Sequence, residues 1–242
     1  MGKSVIRIGM LGCGTVGAGV VKLLAKHREE LDRKAGTKLE LVRIAVKDIK
    51  KERDSRIPDR LLTEDALSVV RDPSIDLVVE LIGGINPARL LVLEAIKNRK
   101  HVVTANKALL AKCWDEIRDA AREHGVEVYF EASVGGGIPI IQALSEGLAA
   151  NKIEAIYAII NGTSNYNLTR MEKDGQTFSE ALKEAQAKGY AEADPKLDVG
   201  GGDAAHKLVV LTSLAFDTAI PLDAVHTEGI EDLAPKIGRA HV

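Results

Sequence analysis

A chain of 242 residues with a formal net charge of −2 carries no excess of positive charge for nucleic acid or an anionic membrane surface. An aromatic content of 3% excludes a stacking platform for single-stranded nucleic acid. No apolar run reaches the ~18 residues of a membrane helix, and MGKSVIRIGM enters a strand pattern at once, without the apolar core of a signal peptide. Hydrophobic (45%) and charged (28%) fractions are globular values that permit one large domain or two modest ones. Cys13 and Cys113 form no disulfide framework, and a reduced, cytoplasmic setting is expected.

In chain order, the apolar run Ser4 to Leu11 predicts a buried strand and Val16 to Leu31 a helix. Leu39 to Val46 predicts a second strand, and Thr63 to Val70 a short helix with Thr63 as N-cap. A third strand is expected at Ile75 to Leu81, a helix at Pro87 to Asn98, a fourth strand at His101 to Thr104, a helix at Lys107 to His124 and a fifth strand at Val126 to Glu131. Near-continuous apolar strands alternating with helices predict a parallel, doubly wound sheet covered on both faces. Past Ala132 the texture changes. The glycine-rich joint SVGGGIP leads to a predicted helix at Ile138 to Ala149, a strand at Ile153 to Ile160, and helices at Phe178 to Lys188 and Ala204 to Phe216. The reading is an α/β, Rossmann-type nucleotide-binding domain over residues 1–130, followed over 131–235 by an α+β substrate-binding and dimerisation domain.

Gly12-Cys13-Gly14-Thr15-Val16-Gly17 fits G-x-G-x-x-G between a strand and a helix. The first glycine permits the turn, the second lets backbone approach a pyrophosphate, and the third lets helix and strand pack closely. Beyond the second strand stand Lys47-Asp48, Lys50, Lys51 and Arg53. The basic cluster leans toward NADP, and Asp48 keeps NAD open. Glu80 and the Thr104-Ala-Asn-Lys107 stretch end strands at the carboxyl edge, where open α/β sheets bind ligands. Glu80 reads equally as a partnered core acid. Lys107 opens a helix, where the dipole disfavours a cation, and that mismatch marks it as a candidate facing cofactor or substrate. The turn Glu131-Ala-Ser-Val-Gly-Gly-Gly-Ile-Pro offers one carboxylate and several carbonyls, which suits either an interdomain hinge or a hard cation.

GYAEADPKLDVGGGDAAHKLVVL, residues 189 to 211, places Glu192, Asp194, Asp198 and Asp203 before and within an apolar helix that carries Lys207. Asp203 and Lys207 lie four apart, on one helix face. Apolar surroundings push a lysine down and nearby acids push it back up, a balance suited to proton exchange with a substrate hydroxyl or carbonyl. The acids suit an ammonium group. The residues therefore describe a dinucleotide-linked site for a small amino-bearing alcohol or aldehyde.

GCGTVG, VELIGG, TANKALLA, FEASVGGGIPII, INGTSNY and the long acid-rich stretch, in this order and spacing, resemble homoserine dehydrogenase over residues 5 to 235. The resemblance implies interconversion of L-homoserine and L-aspartate 4-semialdehyde with NAD or NADP, in the pathway to threonine, methionine and isoleucine. It implies that Lys207 exchanges the proton at the substrate oxygen, with Asp203 orienting it and Lys107 as a second lysine beside nicotinamide and substrate. Glu192, Asp198, Asp203, Thr163 and Tyr190 would hold the substrate. Gly12, Gly14, Thr15, Val16, Gly17, Lys47 and Lys107 would hold the cofactor. A sodium ion would sit on Glu131 with the carbonyls of Val134, Gly136 and Ile138. A homodimer through the second domain is implied, with no nucleic-acid or membrane partner. Lys47 stands where family members often carry arginine, which leaves NAD against NADP open.

The family's catalytic region continues past GIEDL, which here ends at Leu233. The last residues, Lys236 to Val242, do not resemble the family and match the translation of a common sequencing adapter (AAG ATC GGA AGA GCA CAC GTC), so 236–242 is expected to be a non-native tail after a cut gene. Met1 directly before the first strand weighs against a preceding kinase domain. The alternative in another class is a catalytically inactive, dinucleotide-binding dimer module.

Overall fold

The computed structural model describes residues 3–53, 57–192 and 194–233; the expected non-native tail lies outside them. The chain divides into two compact units, Met1–Ile138 and Pro139–Val242, and the division falls at the far end of the glycine-rich joint.

The first unit alternates strand and helix: β1 (Val5–Leu11), α1 (Thr15–Lys26), α2 (Arg28–Ala35), β2 (Lys38–Ala45), β3 (Leu62–Thr63), α3 (Ala66–Arg71), β4 (Leu77–Glu80), α4 (Ala88–Lys97), β5 (His101–Thr104), α5 (Lys107–His124) and β6 (Val128–Tyr129). All pairs are parallel and the order is β3-β2-β1-β4-β5-β6, the doubly wound arrangement of a dinucleotide-binding sheet. Period-two alternation divides the side chains between two cores. Leu11, Val78 and Val102 pack under α3, α4 and α5 with Val69, Val92 and Ile117. Ile8, Met10, Ile44 and Val79 pack against Val21 of α1 on the opposite face.

Three local expectations are corrected here. The helix expected over Val16 to Leu31 is two, because the chain breaks its helical dihedrals at His27. Thr63 does not cap α3: it pairs in β3 with Ala45, and Asp65 caps the helix by accepting the Ser68 N–H at 3.0 Å. The strand expected over Val126 to Glu131 pairs only at Val128 and Tyr129, since Phe130 turns into a short 3₁₀ segment at Glu131–Ser133.

The second unit consists of α6 (Ile140–Gln142, continued by a π-helical turn at Ala143–Gly147), α7 (Gly162–Asp174), α8 (Phe178–Ala187), α9 (Lys196–Val199) and α10 (Gly202–Phe216). No strand forms among its described residues, which corrects the expected strand at Ile153 to Ile160. That run is apolar enough for a strand, but no other segment among the described residues pairs with it, and Tyr157 and Ile159 are 94% and 84% exposed. Helix α7 was not expected from the sequence. Asn161 caps it, and a capping box of Thr177 and Glu180 starts α8, against which α7 packs. Among the described residues no helix is long and apolar enough to cross a membrane.

Candidate active site

In the first unit the glycine loop follows β1, at the point where strand order reverses between β1 and β4. Gly12 stands at φ +94°, and a Cβ there would lie 2.7 Å from the Leu81 carbonyl oxygen. A Cβ on Gly17 would lie 2.7 Å from the Gly12 carbonyl oxygen, so only glycine lets α1 start this close to the strand. Gly14 differs: nothing lies within 4 Å of its would-be Cβ. It is the N-cap of α1 and has no side-chain cap, nor is there an acid in the first turn. The N–H end of a twelve-residue helix therefore faces open space beside Thr15 and Val16, which is the cradle a pyrophosphate fits.

Lys47 lies exposed just past β2. Arg53 folds back on the same loop, donating to the carbonyls of Asp48 (2.7 Å) and Lys51 (2.8 Å). It lies near enough to the glycine loop to act on Cys13: burial pushes that thiol up and the Arg53 guanidinium draws it back.

The carboxyl ends of β4 and β5 are tied together. Glu80, fully buried, accepts from the Thr104 hydroxyl (2.6 Å) and from the N–H groups of Ile82 (2.8 Å) and Gly83 (3.2 Å). Thr104 Oγ1 accepts from the Asn106 N–H, and Asn106 donates its amide to the Gly84 carbonyl at 2.6 Å while capping α5 at Leu109. Glu80 is thus a partnered core acid, and its partners hold the turn that presents Lys107, the half-buried first residue of α5. In the following turn Glu131 is half-buried and Val134 buried, while Gly136 and Ile138 are exposed. Gly135 and Gly137 take φ of +63° and +86°. A carboxylate and backbone carbonyls are the kind of oxygen donors a hard cation takes. Among the described residues no three His, Cys, Asp or Glu side chains converge as for a transition metal.

In the second unit, residues far apart in sequence line one cavity of about 450 Å³: Asn161, Thr163, Tyr166, Tyr190, Asp198, Asp203 and Lys207 among them. The Lys207 ammonium reaches Asp203 Oδ2 at 2.7 Å and the Ile160 carbonyl at 2.8 Å, with side chains only 16% and 4% exposed. The i,i+4 pair expected from sequence is therefore a buried one, outside the weak surface class. The single hydroxyl hydrogen of Thr163 is within reach of the Tyr190 carbonyl (2.8 Å) and, at longer range, Asp198 Oδ2 (3.2 Å). Tyr190 stacks obliquely on Tyr166, ring centres 5.1 Å apart. Glu192 and Asp194 are exposed and do not line this cavity; the Glu192 carbonyl accepts from Gln186. Sequence reasoning missed Asn161, which donates to both Asp198 (2.8 Å) and Asp203 (2.7 Å), and Tyr166. A signal for the first existed: an asparagine ahead of a Gly-Thr-Ser run is a favoured N-cap.

Two family profiles match the chain: the homoserine dehydrogenase NAD binding domain over residues 12–131 and homoserine dehydrogenase over residues 139–240. The chain belongs to the homoserine dehydrogenase family. The first unit is thus an NAD-binding domain of that family. Homoserine dehydrogenase of Pseudomonas aeruginosa is 50% identical over 228 residues, 94% of this chain and 52% of that protein. The crystal structure of a homoserine dehydrogenase from Thiobacillus denitrificans superposes with a TM-score of 0.91 at 52% identity, over 96% of this chain and 53% of that one. A hyperthermophilic archaeal homoserine dehydrogenase in complex with NADPH superposes at 0.82 with 26% identity, over 96% of this chain and 76% of that one. The chain spans about half the length of the curated relatives it matches.

Proposed function

We propose that this chain carries the machinery for oxidising L-homoserine to L-aspartate 4-semialdehyde, and for the reverse reduction, with NAD or NADP. The observation that carries the reading is the convergence of Lys207, Asp203, Asp198 and Thr163 on one cavity. When bound on the Gly12–Gly17 loop, the nicotinamide cofactor supplies the two-electron exchange at the alcohol carbon. The protein's part is proton handling and grip. Asp203 and the Ile160 carbonyl take two of the three N–H donors of the Lys207 ammonium and leave a third for a substrate oxygen. In the reductive direction that N–H protonates the aldehyde oxygen as it becomes a hydroxyl; in the oxidative direction neutral Lys207 takes the hydroxyl proton. Asp203 keeps the amine aimed in both.

Asp198 and Asp203 against one lysine leave the cavity a net negative charge, which suits the substrate ammonium. Thr163 and Tyr190 form its wall, and Glu192, on the adjoining loop, is assigned to substrate capture. Lys107, on the turn that the Glu80–Thr104–Asn106 network holds, is assigned to the nicotinamide cofactor. A sodium ion on Glu131 and the carbonyls of Val134, Gly136 and Ile138 would brace the turn after β6. The working protein is a cytoplasmic homodimer.

The test is homoserine-dependent appearance of reduced nicotinamide, with NAD and NADP in separate assays and cofactor binding followed alongside. Turnover supports the reading. Cofactor binding without turnover or homoserine binding favours the inactive binding module instead.

A further inference from the structure

Asn161 is only 9% exposed, and each polar atom of its side chain is engaged. Oδ1 accepts the Ser164 N–H at 2.7 Å and caps α7. That bond decides which end of the amide is which, because a backbone N–H needs an acceptor. Nδ2 is then committed to the acids, donating to Asp198 Oδ1 at 2.8 Å and Asp203 Oδ2 at 2.7 Å. The two carboxylates stand on different helices, α9 and α10, and they share this one neutral donor. Asp203 Oδ2 also takes the Lys207 ammonium at 2.7 Å.

A cation in the place of Asn161 would hold the acids equally well but cancel the cavity's negative charge. A hydrophobic residue would leave two like charges close together with no donor between them. An amide is the side chain that joins the acids and leaves their charge intact.

We infer that Asn161 is a positioning residue for this site: it clamps Asp198 and Asp203 into one array, fixes Lys207 through Asp203, and preserves the negative charge that receives a substrate ammonium. The inference rests on the homoserine reading for its substrate but not for its geometry. Because Oδ1 also starts α7, the same amide sets the position of Thr163 in the first turn of that helix.

Two variants of the full chain separate this role from capping. Asn161→Ser keeps an N-cap oxygen and removes the bridging donors; Asn161→Asp keeps cap and shape and replaces the donors with a third carboxylate. Crystal structures of both, homoserine titration by calorimetry, and kcat and KM measured separately are the readouts. The expected result is an intact α7, Asp198 and Asp203 carboxylates moved apart, and homoserine affinity reduced roughly 10- to 100-fold, the worth of hydrogen bonds to charged groups. Homoserine KM should rise and kcat fall together, more in Asn161→Asp than in Asn161→Ser. Carboxylates that keep their places in both variants overturn the inference, as does a loss of melting temperature with unchanged KM and kcat. If the unsubstituted chain neither binds nor oxidises homoserine, the proposed function fails by itself, and the carboxylate positions in the two variant crystals still decide the role of the amide.

Discussion

The two units of this chain are held together by different forces. The first is organised by backbone pairing: six parallel strands, with buried aliphatic side chains packed on both faces. The second, among its described residues, has no strands; it buries a smaller set of apolar side chains, Met171, Ala181, Val199 and Leu211 among them, and adds polar side chains that reach across helices. Asn161 links α7 to α9 and α10, and Glu184 of α8 receives Tyr166 of α7, Gln176 and Lys188. A sheet core resists changes in pH and suffers from changes in shape. A polar network suffers above all from changes in charge. The cofactor cradle belongs to the first kind of construction and the acid–lysine cavity to the second.

The largest expected effect lies at the centre of the charged cavity. Lys207→Ala should lower homoserine kcat/KM by about 10²–10⁴-fold, the usual contribution of a positioned acid–base group, while cofactor affinity, measured by fluorescence titration, stays unchanged. Equal loss of both would show the lysine to be structural. The next effect separates shape from contact at the cradle. Gly12→Ala forces a Cβ against the Leu81 carbonyl from a left-handed backbone and should cost about 1–3 kcal/mol in denaturant unfolding. Gly14→Ala meets no protein atom, so its stability should shift by less than about 0.5 kcal/mol while cofactor affinity falls. If the two variants lose stability alike, the distinction between packing glycine and ligand-facing glycine is wrong.

Charge dependence should appear first in the second unit. Hydrogen bonds from Lys188, Gln176 and Tyr166, with the Arg170 charge, hold the Glu184 carboxyl at about 2, below its ordinary 4.5. A depressed carboxylate adds stability that is present above the unfolded value of 4.5 and is lost as pH falls through about 2. Chemical denaturation of the parent chain and Glu184→Gln, followed by circular dichroism, should differ near neutrality and converge as the pH drops toward about 2. A constant difference across that range would place the effect in packing. The smallest effect belongs to the unpaired apolar run. Tyr157→Ser should change unfolding free energy by less than about 0.5 kcal/mol, since the residue is 94% exposed. A larger loss would show that another surface covers Tyr157 in solution.

Much of the first unit was legible because a parallel sheet covered on both faces demands continuous apolar strands, and α5 and β5 have the residue bounds the pattern implied. The same rule misled at Ile153 to Ile160. Hydrophobicity qualifies a segment for pairing, but pairing needs a second backbone, and none stands beside it among the described residues. Helix α7 escaped notice because its residues, GTSNYNLTRMEKD, show little apolar periodicity; its start depends on the Asn161 cap and its position on α8.

The sequence by itself determined the alternating strand–helix pattern of the cofactor unit, the glycine loop and the pairing of Asp203 with Lys207, because each is local: a strand–turn–helix spacing or two residues one helical turn apart. Only the tertiary structure decided that Glu192, which the family resemblance grouped with Asp198, Thr163 and Tyr190, lies outside the cavity those three line, that Glu80 serves the turn before Lys107, and that Asn161 bridges the two acids. The hydrogen bonds that set these relations, from Thr104–Glu80 to Asn161–Asp203, span 24 to 42 residues of chain, and no local pattern specifies which distant side chains a fold brings within hydrogen-bond reach.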